Sequence, residues 1–221
     1  MTTRTFLALV GSPRAGDSTS GTLAQYLVDE LAACGWQAGV LRISTALRHP
    51  EHWPELAEQF RTADVVALCS PLYVDSLPAE TTRALERLVL TPSRHTQALF
   101  AVINSGFVEA EQNDTALAIC HLFSRQAGLT WLGGLALGGG GAVNGQSLEM
   151  VGKMMPHLPR ALKMTVEAIN AGQPIPPEAL TLIRRRFCPP WLYFLMANYG
   201  MKKSARDHGV GKQINATPYA R

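Results

Sequence analysis

The sequence predicts an α/β domain, a parallel five-stranded sheet of order 2-1-3-4-5 between two helical layers, with a helical extension after it. Three observations lead there. Apolar, strand-like runs alternate along the chain with stretches of helical spacing. The run ADVVALCS (63–70) is almost wholly apolar and rich in valine, as a strand buried on both faces must be. The first run breaks at Gly11 into a loop of small, hydroxylated residues that leads straight into a helix.

The elements follow in order. After the opening strand, Leu23, Tyr26, Leu27 and Leu31 form the apolar stripe of a first helix, which Cys34-Gly35 ends. WQAGVLRI (36–43) alternates loosely and makes a second strand, with Arg42 turned outward. A short helix spans His49 to Arg61, with prolines at its start and Leu56 and Phe60 four apart. The third strand, 63–70, empties into a loop from Ser70 to Pro78, and a helix follows from Ala79 to Leu90. QALFAVI (97–103) is the fourth strand, ending at Asn104-Ser105-Gly106-Phe107, before a helix from Asn113 to Ala127. LTWLGGLAL (129–137) is the fifth, followed by Gly138–Gly141 and a long helix, 147–171, expected to be irregular near Pro156 and Pro159. With right-handed crossovers, the flavodoxin-like strand order is the economical arrangement. Ligands in such sheets sit beyond the carboxyl ends of the strands, at the switch between strands 1 and 3. That rule gathers the loops at 11–20, 70–78 and 104–109 on one rim.

Composition narrows the function. The 221 residues suffice for one sizeable domain with an appendage, and 47% hydrophobic against 17% charged residues is a globular balance. A net charge of +3 gives no reason to expect nucleic acid. Cys34, Cys69, Cys120 and Cys188 form no C-x-x-C pair, which argues against structural zinc or an iron–sulfur cluster and fits thiols in a reducing compartment. The histidines show no metal-ligand spacing, and His121 reads as a surface or core residue. The N-terminus enters a strand with no signal-like segment, and no apolar run is long enough to span a bilayer, so a cytoplasmic protein is expected.

The opening loop decides between ligands. Gly11-Ser-Pro-Arg-Ala-Gly16-Asp17-Ser18 fits G-x-x-x-x-G-K-S except that Asp17 stands at the lysine, where a carboxylate would repel a triphosphate. The G-x-G-x-x-G dinucleotide pattern is absent, and strands 1 and 3 end without the carboxylates a phosphoacceptor receiver domain requires. What remains suits one terminal phosphate at a helix N-terminus, held by hydroxyls, amides and Arg14. The plainer alternative is a serine-rich turn that only caps the helix.

These residues resemble a known family. GSPRAGDSTS is similar to the FMN-phosphate loop of short flavodoxin-like oxidoreductases, the NAD(P)H-dependent FMN reductases and the quinone and azo reductases. SPLYVDSLP is similar to their second loop and NSGFVEAEQNDTAL to the third loop and helix of one branch, so the resemblance covers about residues 4–171. It implies that Ser12, Arg14, Ser18, Thr19 and Ser20 bind the FMN phosphate. It implies that Pro71, Leu72, Tyr73 and Val74 lie along the isoalloxazine, with Ser105, Gly106 and Phe107 closing the other side. NADPH or NADH would be the reductant, a quinone, azo or nitro compound or free flavin the acceptor, and the flavin would carry the chemistry. A homodimer is implied too, although Thr82 and Glu86 replace a lysine and an aspartate common on the helix surface that meets the partner. The cysteines of the iron–sulfur flavoprotein branch and the acidic character of flavodoxin electron carriers are both missing.

The domain is taken as 1–171 and the extension as 172–221. In the extension, Arg184-Arg185-Arg186 precedes FCPPWLYFLM, and Lys202, Lys203 and Arg206 follow. Such a segment packs as a helix on the domain or a partner subunit, the preferred expectation, or lies on a membrane surface; QINATPYAR reads as an extended end. Three functions stay open at this point: the oxidoreductase, a non-catalytic flavin- or nucleotide-binding module acting through its C-terminal surface on a protein or membrane partner, or a decayed site with the fold retained as an interaction scaffold.

Overall fold

The structure, a computed structural model, describes residues 3–92, 96–143 and 145–217. Two compact units divide the chain, one up to Arg186 and one from Phe187. The sheet lies in the first, with order β2-β1-β3-β4-β5 and every pairing parallel, as the sequence predicts.

The elements run β1 Thr5–Val10, α1 Thr19–Ala33, β2 Gln37–Arg42, α2 Ile43–Arg48, α3 Trp53–Thr62, β3 Val65–Pro71 and α4 Ala79–Leu88. Then follow β4 Ala98–Asn104, α5 Asp114–Gln126, β5 Thr130–Leu137, α6 Leu148–Met154, α7 His157–Asn170 and α8 Pro177–Ile183. The second unit holds α9, Pro190–Asp207.

Side-chain alternation divides the strands between two layers. Leu7, Leu9, Val66, Leu68, Leu99, Ala101 and Ile103 join one core with Leu56, Phe60, Leu85, Leu88, Cys120 and Phe123 from the α3, α4 and α5 side. The intervening residues, among them Phe6, Ala8, Ala67, Phe100 and Val102, are equally buried on the opposite face. Leu23, Leu27 and Leu31 of α1 are buried, and α1 packs on β1, β2 and β3. Each aliphatic side chain so buried is worth about 1.5–3 kcal/mol, which outweighs local propensity and fixes the register.

Three local departures from the expected elements have physical causes. The second strand stops at Arg42, because Ile43 opens α2 and buries its side chain from a helix instead. The helix foreseen over 49–61 begins as a 3-10 turn, Pro50–His52, before α3. The long helix over 147–171 is broken in two: Pro156 excludes the helical conformation from Met155, which sits at φ −124°, ψ 65°.

Residues 172–183 belong with the sheet. At β5 the pairing slips opposite Leu99 and Phe100, leaving Leu132 as a bulge before Gly133, whose φ is 139°. The freed Leu132 carbonyl accepts a hydrogen bond from the Ile175 N–H (2.9 Å), and the Ile175 side chain fills the space above Gly133. The segment thus covers an otherwise open sheet edge. Of the closing QINATPYAR, Gln213 ends a short 3-10 turn and residues 218–221 lie outside the described chain.

Candidate functional site

Parallel register brings the carboxyl ends of β1, β3, β4 and β5 level: Val10 pairs with Cys69, Pro71 with Asn104, and Asn104 with Leu137. The loops that leave these ends meet on one rim. Asn104, buried there, ties three of them, donating from Nδ2 to the Ser20 hydroxyl (2.8 Å) and the Ser70 carbonyl (3.0 Å). Gly140 is drawn onto the same junction: its N–H reaches the Ser105 carbonyl (2.8 Å) and its own carbonyl accepts from Thr19 Oγ1 (2.7 Å). A Cβ on Gly140 would come within 3.1 Å of Asn104 Oδ1 and 3.2 Å of the Ser105 carbonyl, a tight fit that the missing side chain relieves.

The loop 11–18 is held from behind. Its carbonyls are taken by Thr81 Oγ1 at Gly11 (2.9 Å), by Arg48 at Pro13 (2.9 Å) and by Arg42 at Arg14 (3.3 Å). Arg48 is steadied by Glu80 at 3.1 Å. Gly11 is wedged so tightly that a Cβ would meet Ser70 Oγ at 2.6 Å and Thr81 Oγ1 at 2.7 Å. With carbonyls engaged, the N–H groups of Ser12, Ser18, Thr19 and Ser20 have no partner among the described residues, and the last two open α1. Ser18 caps α1, its oxygen accepting from the Gly21 N–H (3.1 Å), so its own proton stays available. Ser20 likewise accepts from Asn104 and keeps its proton. Thr19 does not: its proton goes to Gly140.

In front of these donors lies a cavity of about 360 Å³ lined by Ser12, Arg14, Ser18, Thr19, Ser20, Pro71, Leu72, Tyr73, Asn104, Ser105, Gly106, Gly140 and Gly141. Its size is that of a cofactor site, roughly 300–1,000 Å³. It offers hydroxyls, amides and a guanidinium from the 12–20 loop and an apolar wall from Pro71 and Leu72, and no carboxylate is among its described lining residues. That donor set fits a phosphate joined to a flat apolar ring. A second cavity of about 390 Å³ lies between β2, α2 and α3, lined by Arg42, His52 and Glu55 among others; it includes none of the 70–78 or 104–109 loop residues and carries a carboxylate that disfavours an anion.

Ten sequence-singled residues line the cavity and two do not. Val74 (98% exposed) and Phe107 (62% exposed) stand off its wall. Val74 and Asp75 occupy left-handed positions (φ 49° and 58°) at the tip of a tight turn, closed by the paired hydrogen bonds of Tyr73 and Ser76. Sequence reasoning missed Asn104, Gly140 and Gly141. Asn104 carries a readable signal, a polar residue ending a buried strand at the rim. The glycines Gly138–Gly141 were visible, yet nothing in a glycine run says where its backbone binds.

Burial pushes the Cys69 thiol up to about 12, so this cysteine beneath the rim stays protonated and unreactive. Burial does the same to Cys120. The fold and the rim define an open α/β protein whose cavity at the β1/β3 switch has a donor set suited to a phosphate-bearing cofactor.

Comparison with known proteins gives that class a family. Residues 5–167 match the model of the NADPH-dependent FMN reductases, and the chain belongs to that family. It is an NAD(P)H-dependent FMN oxidoreductase, with FMN as cofactor. Among solved structures it is similar to an NAD(P)H:quinone oxidoreductase from Methanothermobacter marburgensis (18% identity, TM-score 0.50), covering 62% of this chain and 88% of that one. It is similar to an FMN-dependent NADH-azoreductase from Bacillus anthracis (14%, TM-score 0.52; 76% and 98% covered). A putative quinone reductase from Klebsiella pneumoniae matches at 13% and TM-score 0.53, with 79% and 88% covered. At these identities the structures speak for the fold alone. A search of curated proteins found no match.

Proposed function

We propose that FMN sits in the rim cavity, its phosphate on residues 12–20 and its ring along Pro71, Leu72 and Tyr73, with Ser105 and Gly106 opposite. One observation supports this above others. Three loop carbonyls are tied back by Thr81, Arg48 and Arg42 while four N–H groups and the cation of Arg14 are left for an anion. Such donors need no reorganisation when the anion arrives, and each charge-assisted bond contributes about 1.5–3 kcal/mol. Thr19 acts through its N–H, since its hydroxyl clasps Gly140. Asn104 positions Ser20 and so belongs to the site although it carries no chemistry.

FMN supplies hydride acceptance and delivery; the chain binds, orients and shields it. Tyr73 is the one phenol among the described lining residues, and a proton needed by the acceptor would come from it or from water. The reductant is NADPH or NADH. The acceptor is a small oxidant, a quinone, azo or nitro compound or free flavin, as the names of the quinone and azo reductase neighbours suggest. Val74 and Phe107, exposed beside wall residues Tyr73 and Gly106, meet that acceptor rather than the flavin.

The enzyme acts as a homodimer through α4 and α5, where Leu85, Val89, Ile119 and Leu122 border a groove of about 220 Å³ and Leu122 is half exposed. No helix among the described residues is long and apolar enough to cross a membrane. The four cysteines are all free, which suits the cytoplasm.

The test is anaerobic titration of the FMN-loaded protein with NADPH. Bleaching of the flavin band, restored by a quinone with turnover, is expected. Bound flavin that NADPH and NADH both leave unbleached contradicts the reading.

A further inference from the structure

Residues 187–217 make a unit of their own, and its 18-residue helix α9 buries no residue. Trp191, Phe194, Leu195, Met196, Tyr199 and Met201 are all exposed, Tyr199 to 71%. Soluble surfaces rarely leave so many large apolar groups together unless something covers them. At about 100° per residue, these six side chains spread over roughly 220° of the helix circumference. The basic residues are separated from them along the axis rather than across it: Lys202, Lys203 and Arg206 crowd the last turns, while Asn198 is the polar side chain within the apolar stretch.

Charge is concentrated in the same place. Residues 187–221 hold Lys202, Lys203, Arg206, Lys212 and Arg221 against one acid, Asp207, a net of +4 where the whole chain carries +3. The remaining 186 residues are therefore at −1.

We propose that this unit docks on an anionic lipid bilayer, the first half of α9 entering the boundary between headgroups and acyl chains and its basic turns resting on the headgroups. Four features favour lipid over other occupants. A protein groove covers one stripe of a helix, whereas a fluid acyl layer can take the whole of this wide apolar arc. Two copies meeting in parallel through α9 would press Lys202, Lys203 and Arg206 against their own images, and an antiparallel pair would lay these charges on the partner's apolar half. The apolar part, Trp191 to Met201, is about 16 Å long at 1.5 Å per residue, half the thickness of a hydrocarbon core, so it can dip in but cannot span. Trp191, Tyr193 and Tyr199 are the residue types that settle at the headgroup level.

The experiment uses the full-length protein and vesicles of phosphatidylcholine alone or with one part in three phosphatidylserine. Co-sedimentation with the anionic vesicles only, reversed by raising salt, is expected. Lys202→Glu with Lys203→Glu should lower that partition at least ~10-fold, since each basic residue near such a surface contributes about a factor of five. Phe194→Ser should lower it too, with the circular dichroism spectrum unchanged in both variants. Lack of binding to anionic vesicles, or equal binding to both kinds, overturns the proposal. So does concentration-dependent self-association without lipid that Phe194→Ser abolishes, which assigns the surface to a second copy. None of these readouts depends on flavin.

Discussion

The loop Gly11–Ser20 and the turn Tyr73–Ser76 face the same cavity and are held in opposite ways. The first is clamped at three carbonyls, its glycine leaves no room for a Cβ, and Ser12 and Ser20 are buried. The second closes on its own two hydrogen bonds, with Val74 almost wholly exposed at φ 49°, where a β-branched residue is strained by about 1–3 kcal/mol. The difference separates two tasks. In the proposed FMN pose, the clamped backbone cradle would hold the part of the cofactor that never reacts, and the exposed, strained turn would border the part where substrates come and go.

Substitutions can break that contrast, and the largest effect should come from the cradle. Gly11→Ala drives a methyl into Ser70 and Thr81. Overpacking of this kind costs about 1–3 kcal/mol. FMN affinity should fall ~100-fold, as measured by fluorescence quenching, with a lower melting temperature. Asn104→Ala comes next. It leaves the Ser70 carbonyl and the Ser20 hydroxyl without their partner, a loss of about 1–3 kcal/mol in stability. FMN binding should weaken ~10-fold while the acceptor profile stays the same.

The turn should respond differently. Val74→Asn places a residue that tolerates the left-handed region where valine does not, and should raise stability by about 1 kcal/mol. FMN affinity should be unchanged and kcat/KM should shift for bulky acceptors only. A large loss of FMN affinity would erase the division between the two walls.

The smallest effect lies away from the rim, at His157, which burial and then Arg185 hold below its ordinary pKa. The folded protein resists a proton that the unfolded chain accepts. Its contribution is therefore full above pH ~6.5 and lost as pH falls through the lower folded value. Melting temperatures between pH 7.5 and 5 should drop less in His157→Gln than in the parent protein.

The sheet was legible because its signals are local and redundant: β3 and β4 are nearly uninterrupted apolar runs, and Gly11 marks where β1 ends. The loops' convergence followed from strand order alone. What stayed hidden depends on contacts between distant residues. Arg42, Arg48 and Thr81 look like ordinary surface or helix residues, and only the folded chain brings them behind Pro13, Arg14 and Gly11. Thr19 shows the same limit, for a hydroxyl in a serine-rich loop cannot announce that its proton is spent on Gly140, 121 residues away. Ile43 reads as the end of β2 in the sequence because a buried isoleucine looks alike at a strand's end and a helix's start.

The central claim is that the loop 11–20 holds a phosphate, and riboflavin isolates it, since riboflavin is FMN without that group. Apoprotein titrated with each flavin should bind FMN at least ~100-fold more tightly, the worth of about two charge-assisted hydrogen bonds, and Arg14→Ala should narrow the gap. Equal affinity for the two flavins would contradict the account.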